Sequence, residues 1–160
     1  IHSSRRRFAA RLNSGVRCHM KTIAAFIIFL ATAPSIAAQE LLLFGGRNNN
    51  TFLGCATCNK YDSGSICNKY GDFGSRYSDS SIWNRYGTFG SKYNDESPWN
   101  KYSNSPPVVV DRDGNFYGYF TSNKYHQDRT RVRGLRVLID NVDLVTDDLE
   151  AARDAYCGDT

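Results

Sequence analysis

Two sixteen-residue stretches in the middle of the chain nearly repeat each other: SICNKYGDFGSRYSDS at residues 65–80 and SIWNRYGTFGSKYNDE at residues 81–96. A third copy begins with SPWNKY at residues 97–102, and residues 59–64 match the tail of a unit. Self-similarity at a fixed period is the signature of a duplicated structural unit. The sequence therefore predicts a repeat module over residues 59–104.

Glycine pairs flank one phenylalanine in each full copy, at Gly71 and Gly74 and again at Gly87 and Gly90. Glycine is used where the chain needs a positive φ or where two backbone segments approach closely. We therefore expect tight turns in the repeats, joined by very short strands or single helical turns.

A tyrosine preceded by lysine or arginine recurs through the repeats at alternating spacings of nine and seven residues. These tyrosines are Tyr61, Tyr70, Tyr77, Tyr86, Tyr93 and Tyr102, and Tyr125 follows the same pattern further on. In one interpretation they form a surface that stacks sugars or nucleic-acid bases, with Tyr86, Lys92 and Tyr93 as candidate ligand-binding residues. In the other, they join isoleucine, tryptophan and phenylalanine in a layered core, and the basic side chains extend over the rings. The sequence favours the core, because repeats with few long aliphatic side chains need their aromatic residues inside.

The clearest secondary structure is VVVDRDGNFYGYFT at residues 108–121. A β-branched run, an Asp-Gly turn and an aromatic run are typical of a β-hairpin. Asp111 and Asp113 are expected to be turn residues, because the further acidic ligands of a calcium loop are missing from the sequence after them.

Basic residues follow the hairpin in HQDRTRVR at residues 126–133. In an extended conformation, Arg129, Arg131 and Arg133 would share one face and form a site for an anion. His126 lies beside them and is the candidate for proton transfer, although a histidine without an evident partner is more often structural.

Apolar residues from Leu138 to Tyr156 recur at steps of four and three. This spacing predicts an amphipathic helix over residues 138–157 that ends at Gly158. The predicted fold class is therefore α+β: a small twisted antiparallel sheet and a turn-rich repeat module, with a C-terminal amphipathic helix.

The segment MKTIAAFIIFLATAPSIAAQ at residues 20–39 begins at the single methionine of the chain. A basic start, a short apolar run and small residues near the end are typical of a cleaved signal peptide, and the apolar run is shorter than the ~20 residues of a membrane span. We predict an upstream extension at residues 1–19, a signal peptide at residues 20–38 and one mature domain at residues 39–160. The expected location is periplasmic or extracellular, with no membrane span after cleavage.

The charge of the chain is unevenly distributed. The whole sequence carries a net charge of +4, but residues 39–160 contain 14 basic and 16 acidic residues, a net charge of −2. A function in nucleic-acid binding that depends on overall basicity is therefore excluded, and we expect no specific nucleic-acid partner.

The predicted mature domain contains four cysteines: Cys55, Cys58, Cys67 and Cys157. An even number in an exported chain favours two disulfides, and we predict that Cys157 pairs with one of the other three. Cys55 and Cys58 also have the spacing of a zinc or redox site. Zinc would need Cys67 together with Cys157 or His126, so we expect disulfides and no cofactor, with zinc as the alternative.

Four stretches carry a resemblance: FLGC at 52–55, SIWNRYGTFGSKY at 81–93, SPWN at 97–100 and VDRDGNFYGYF at 110–120. At these residues the chain resembles a group of small exported bacterial proteins with tandem S-x-W-N-x-Y-G-x-F-G-S-x-Y repeats. The resemblance implies bacterial export and one compact module. It carries no activity, so no functional residue follows from it.

Residues that can stack and bind anions are plentiful in this sequence, whereas a nucleophile with a base and an acid is not evident. We therefore predict a non-enzymatic binding or structural module of the envelope or extracellular space, whose partner is an envelope polymer, a glycan or another envelope protein. The first alternative is a small hydrolase or nuclease that uses His126 with Arg129, Arg131 and Arg133. The second is a cysteine-based zinc or redox module.

Overall fold

The computed structural model describes residues 39–158, so the predicted signal peptide and the extension before it lie outside the described residues. Four short strands and three helices flank the turn-rich repeat segment. They are β1 (Leu41–Gly45), β2 (Thr51–Cys55), β3 (Val108–Asp111), β4 (Phe116–Tyr119), α1 (Arg133–Asp140), α2 (Val142–Asp147) and α3 (Leu149–Cys157). The predicted α+β class is confirmed.

The strands form one antiparallel sheet in the order β2-β1-β3-β4. The predicted hairpin is confirmed as β3 and β4, and Gly114 in their turn has a φ of +83°. β1 and β2 form a second hairpin, and β1 alternates buried and half-buried residues along its length. The sheet is thus built from two hairpins that flank the repeats in the sequence, and the repeats touch it through an isolated bridge between Cys55 and Ser65.

The repeat segment, residues 59–104, is a stack of turns that we call the repeat array. Trp83 and Trp99 point inward, are each 1% exposed and stack with ring centroids 5.7 Å apart. The indole Nε1–H of Trp83 donates to the carbonyl of Ile66 at 2.8 Å, and that of Trp99 donates to the carbonyl of Ile82 at 2.6 Å. Each tryptophan is therefore tied to the preceding copy, which satisfies the indole donor inside the core.

The second glycine of each pair permits close contact between backbone segments. A Cβ atom on Gly90 would lie 2.1 Å from the carbonyl oxygen of Asn84, and one on Gly74 would lie 2.2 Å from that of Asn68. Neither glycine has a positive φ. Glycine is needed at these two positions because the backbone segments approach closely, and not because φ is positive.

The prediction of one helix over residues 138–157 is wrong, because the chain forms three helices and the first begins at Arg133. The last break falls at Asp148, which is extended (φ −144°, ψ 93°) and accepts hydrogen bonds from the backbone N–H groups of Glu150 and Ala151. An aspartate that caps a new helix in this way competes with continuation of the previous one. The apolar stripe still becomes buried: Leu138, Val142, Val145 and Leu149 all belong to the core.

The helices dock on the repeat array. The guanidinium of Arg153, which is 4% exposed, donates to the carbonyl of Gly74 at 3.0 Å and to the carboxylate of Asp154 at 2.8 Å. A disulfide joins Cys67 in the array to Cys157 at the end of α3. The C-terminal helices therefore form one wall of any groove that runs along this side of the repeats.

Candidate binding surface

Seven tyrosines that follow a basic residue stand outside the core. Their exposed fractions lie between 76% and 90%. We call this set the tyrosine surface: Tyr61, Tyr70, Tyr77, Tyr86, Tyr93, Tyr102 and Tyr125. The prediction that these tyrosines are core residues is wrong, whereas isoleucine, tryptophan and Phe89 of the repeats are buried as that interpretation expected.

A recurring turn explains why the tyrosines face outward. The backbone N–H of Tyr86 donates to Asn84 Oδ1 at 3.1 Å, and that of Gly87 donates to the Asn84 carbonyl at 2.9 Å. The turn places Arg85 and Tyr86 at its two central positions. Asparagine and serine favour such turns because their side chains bond the backbone two residues later. All seven tyrosine N–H groups donate to an asparagine or serine oxygen in this manner.

Basic side chains lie over several of these rings. The distances from cation to ring centroid are 5.7 Å for Lys60 on Tyr61, 5.3 Å for Lys69 on Tyr70, 4.7 Å for Arg76 on Tyr77 and 5.5 Å for Lys92 on Tyr93. The expectation that basic side chains extend over the rings is confirmed for these four. Contacts of this kind contribute about 0.5–1 kcal/mol at exposed sites.

The structure brings the three predicted repeat residues to one cavity. Tyr86, Lys92 and Tyr93 line a space of about 410 Å³, and Thr146 and Leu149 from the helices line its other side. The positions of Thr146 and Leu149 in this wall were not predicted, because sequence spacing within the repeats does not show which helix residues pack beside them.

A second cavity of about 540 Å³ continues along the same side of the array. Arg85 and Tyr86 line both cavities, and the second extends to Arg76 and Tyr77, opposite Glu150. We call the two together the repeat–helix groove. Its repeat wall presents the same basic–tyrosine pair at successive turns, so it offers an extended ligand similar contacts at several points.

Ion pairs between the repeats and the helices neutralise part of the basic charge at this groove. Arg76 pairs with Glu150 in the lining of the groove, and outside that lining Lys101 of the repeats pairs with Asp143 of α2. The hydrogen bond from Lys101 lowers the pKa of Asp143, and the charges of Lys124 and Lys92 act in the same direction. The groove is therefore a surface of mixed charge and not a continuous basic strip.

The three arginines predicted to share one face do not do so, and that prediction is wrong. Arg129 is held by the Thr121 carbonyl at 3.0 Å and by the Asp140 carboxylate at 2.9 Å, and its side chain is 9% exposed. Arg131 lines a cavity of about 500 Å³ together with Arg129, whereas Arg133 begins α1 and lines an apolar groove of about 730 Å³ among the three helices. The cluster fails because residues 126–133 do not form an extended strand.

His126 closes another turn of the repeat type, in which its N–H donates to the Asn123 carbonyl at 3.2 Å. Its ring lies 4.4 Å from the ring of Tyr119, and its Nδ1 is buried without a hydrogen-bond partner among the described residues. A general base must reach the proton that it abstracts, so a buried Nδ1 adds no support to the hydrolase alternative.

The cysteines form the two predicted disulfides, and the prediction for Cys157 is confirmed. Cys55 pairs with Cys58, and Cys67 pairs with Cys157 across 90 residues. The predicted zinc alternative needed Cys67 and Cys157 as free thiolate ligands, but these two cysteines are joined in a disulfide. A different group comes together instead: a carboxylate oxygen of Glu40 and the sulfurs of Cys55 and Cys58 all lie within 4.8 Å of one another.

The predicted turn residue Asp111 is a buried structural carboxylate, 3% exposed. It accepts hydrogen bonds from the side chains of Asn115 and Gln39 and from the backbone N–H groups of Asp113 and Asn115. Hydrogen bonding, from the Asn115 side chain above all, lowers the pKa of Asp111. Its oxygens are thus committed to the hairpin turn, which is the turn role that the sequence predicts for this residue.

Comparison with protein-family models, with curated proteins and with solved structures finds no match for this chain. Within residues 39–158, the helices are all too short and too polar to cross a lipid bilayer. Functional conclusions therefore depend on the geometry of the chain itself.

Proposed function

We propose that this chain is an exported bacterial module, non-enzymatic, that binds a glycan or glycan-containing envelope polymer along its repeat–helix groove. The observation that carries the proposal is the tyrosine surface: seven rings held outward by the same turn, each following a lysine or arginine. Seven exposed tyrosines in one segment are unusual for a folded domain, because each ring leaves apolar area in water.

The chemistry of a sugar suits this surface. A pyranose presents an apolar C–H face that can lie on a tyrosine ring, and hydroxyl groups that can bond to lysine, arginine and tyrosine side chains. Turns that repeat every sixteen residues present this combination again at each copy, so a polymer of similar units can be contacted several times. Linked contacts of this kind raise the affinity for a polymer above that for a single sugar.

The charge balance favours a glycan over a nucleic acid. Residues 59–104 contain six basic and five acidic residues, and Arg76 and Lys101 are already paired with helix carboxylates. A nucleic-acid site needs a clear excess of basic charge to displace counterions from phosphates. Stacking must therefore provide most of the affinity in this groove.

The proposed compartment agrees with the cysteine chemistry. Two disulfides are typical of proteins that mature in an oxidising environment outside the cytosol. The signal-peptide pattern at residues 20–38 supports the same location. A periplasmic or extracellular module would meet envelope polymers and glycans directly.

The test is retention of the purified domain on insoluble peptidoglycan and on a panel of immobilised neutral and acidic polysaccharides. The double variant Tyr86→Ala/Tyr93→Ala should lose at least tenfold in affinity, if a sugar face stacked on tyrosine contributes on the scale of the ~1–3 kcal/mol known for a nucleic-acid base on an aromatic ring. Phe116→Ala is the matched control, because Phe116 is a 53% exposed aromatic residue outside the repeats. Equal retention of both variants, or retention of a protein partner alone, would contradict the proposal.

A further inference from the structure

Glu40, Cys55 and Cys58 form a compact group at the edge of the sheet, away from the repeat–helix groove. One oxygen and two sulfurs lie within 4.8 Å of one another, and Cys55 is 2% exposed whereas Cys58 is half-buried. We call this group the cysteine–glutamate cluster. The sulfurs are joined in a disulfide, so they become ligands only after reduction.

The backbone at Cys55 is held independently of its disulfide. Its N–H donates to the Gly64 carbonyl at 2.7 Å, and its carbonyl accepts the N–H of Ile66 at 3.0 Å. The Cys67–Cys157 disulfide separately ties the helices to the array. The carbonyl of Cys58 accepts a hydrogen bond from the Ser65 hydroxyl at 3.4 Å, so both cysteines have backbone contacts that do not depend on the Cys55–Cys58 bond.

The carboxylate of Glu40 determines whether the reduced cluster is suited to nucleophilic chemistry or to metal binding. A reactive thiolate normally lies near positive charge, and here a carboxylate oxygen lies within 4.8 Å of both sulfurs. That arrangement disfavours a nucleophile, but two sulfurs and one carboxylate oxygen form a suitable ligand set for a divalent cation. Zinc accepts both ligand types and binds with three protein ligands when water occupies the fourth position.

We propose that the cysteine–glutamate cluster is a zinc site that exists only in the reduced protein. A dithiol reductant transfers two electrons to the Cys55–Cys58 bond, yielding two protein thiols and the oxidised, cyclic disulfide of the reductant. Zn²⁺ then displaces the two thiol protons and binds both sulfurs and the Glu40 carboxylate. A disulfide oxidant reverses the process: it accepts the two electrons and, with two protons from water, becomes a dithiol, while the Cys55–Cys58 bond forms again and Zn²⁺ is released. This site is independent of the proposed glycan function.

Glu40 is available for this role although it has a partner in the oxidised form. Its carboxylate pairs with Arg112, whose side chain is 72% exposed. Exposed ion pairs of this kind are weak, so a bound cation readily replaces the guanidinium.

The experiment uses the full chain carrying Cys18→Ser, so that the only thiols come from the two disulfides. The protein is titrated with a dithiol, the opened bonds are identified by alkylation and peptide mapping, and Co²⁺ or Zn²⁺ is then added. Metal is added to the fraction in which peptide mapping finds Cys55 and Cys58 labelled and Cys67 and Cys157 still joined. The reduced protein should bind one equivalent of Co²⁺ with thiolate charge-transfer absorption, which one equivalent of Zn²⁺ abolishes, and the oxidised protein should bind none.

Variants separate the site from adventitious binding. Glu40→Gln should weaken Zn²⁺ binding by about tenfold or more while circular dichroism stays unchanged, since loss of a supporting group alone costs 10–100-fold at metal sites. Glu96→Gln is the matched control, and Cys58→Ser should abolish the cobalt spectrum. Absence of metal binding after reduction of the Cys55–Cys58 bond, or unchanged affinity in Glu40→Gln, would each overturn the proposal.

Discussion

Replacement of both cysteines of the Cys67–Cys157 disulfide by alanine should destabilise the domain far more than the same change at Cys55–Cys58. The first bond closes a loop across 90 residues and the second a loop across three. On the chain-entropy relation, these loops correspond to about 4.6 and about 2 kcal/mol of stabilisation through the unfolded state. The expected difference of about 3 kcal/mol is a large share of the 5–15 kcal/mol typical of a folded domain.

Urea unfolding followed by tryptophan fluorescence measures the difference directly, because Trp83 and Trp99 are buried at the centre of the repeat array. With a slope of about 1.5 kcal/mol per molar urea, the midpoint should fall by about 3 M without the long-range bond and by about 1.3 M without the short one. Equal shifts, or a larger shift for the Cys55→Ala/Cys58→Ala variant, would refute the claim that Cys67–Cys157 is the principal cross-link of this fold.

Three further changes probe the turn array, the helix contact and the hairpin. Gly90→Ala should lower the urea midpoint strongly, because its Cβ would lie 2.1 Å from a backbone oxygen, whereas Gly64→Ala has open space and should be nearly neutral. Burial raises the pKa of Tyr156 to about 12 in the folded protein. Above pH 10 the unfolded chain loses this proton more readily than the folded one, so the free energy of unfolding should fall as the pH rises. Tyr156→Phe should flatten that decline in alkaline unfolding curves. The pKa of Asp111 is lowered in the folded protein, so its carboxylate stabilises the fold above about pH 4, and this stabilisation is lost as the pH falls through the pKa of the folded state. Asp111→Asn should therefore reduce the difference in the free energy of unfolding between pH 7 and pH 3. A Gly64→Ala loss as large as that of Gly90→Ala, or unchanged pH profiles in the other two variants, would contradict these assignments.

Much of the fold follows from local patterns that the sequence shows. The hairpin over residues 108–121 was predictable because a β-branched run, an Asp-Gly turn and an aromatic run all indicate one structure. The repeat array was predictable as tight turns for the same reason, since serine, asparagine and glycine recur at fixed positions. The helical region was recognised from its apolar stripe, but its breaks depend on cap geometry at Asp148, which competes with a periodicity that continues unchanged across it.

The candidate site was only partly predictable, because the same residue type serves two roles in one repeat. Tyr86 and Trp83 are three residues apart, and only the turn at Asn84 decides that the ring of Tyr86 faces water and the indole of Trp83 faces the core. Residue composition favours a buried position for the tyrosines, which is wrong, because composition does not show which turn position each aromatic residue occupies. The helical wall of the groove and the meeting of Glu40 with the cysteines are long-range contacts that no local pattern encodes.

The free energy of unfolding of the double variant Tyr86→Ala/Tyr93→Ala is the most direct test of the central claim. If both rings lie outside the core and are available to a ligand, the variant should unfold within about 1 kcal/mol of the parent, as surface substitutions do. Trp83→Ala sets the scale for a core aromatic and should lose about 3–5 kcal/mol. A loss of 3 kcal/mol or more in the tyrosine variant would mean that these rings support the fold, and it would contradict a ligand-binding tyrosine surface.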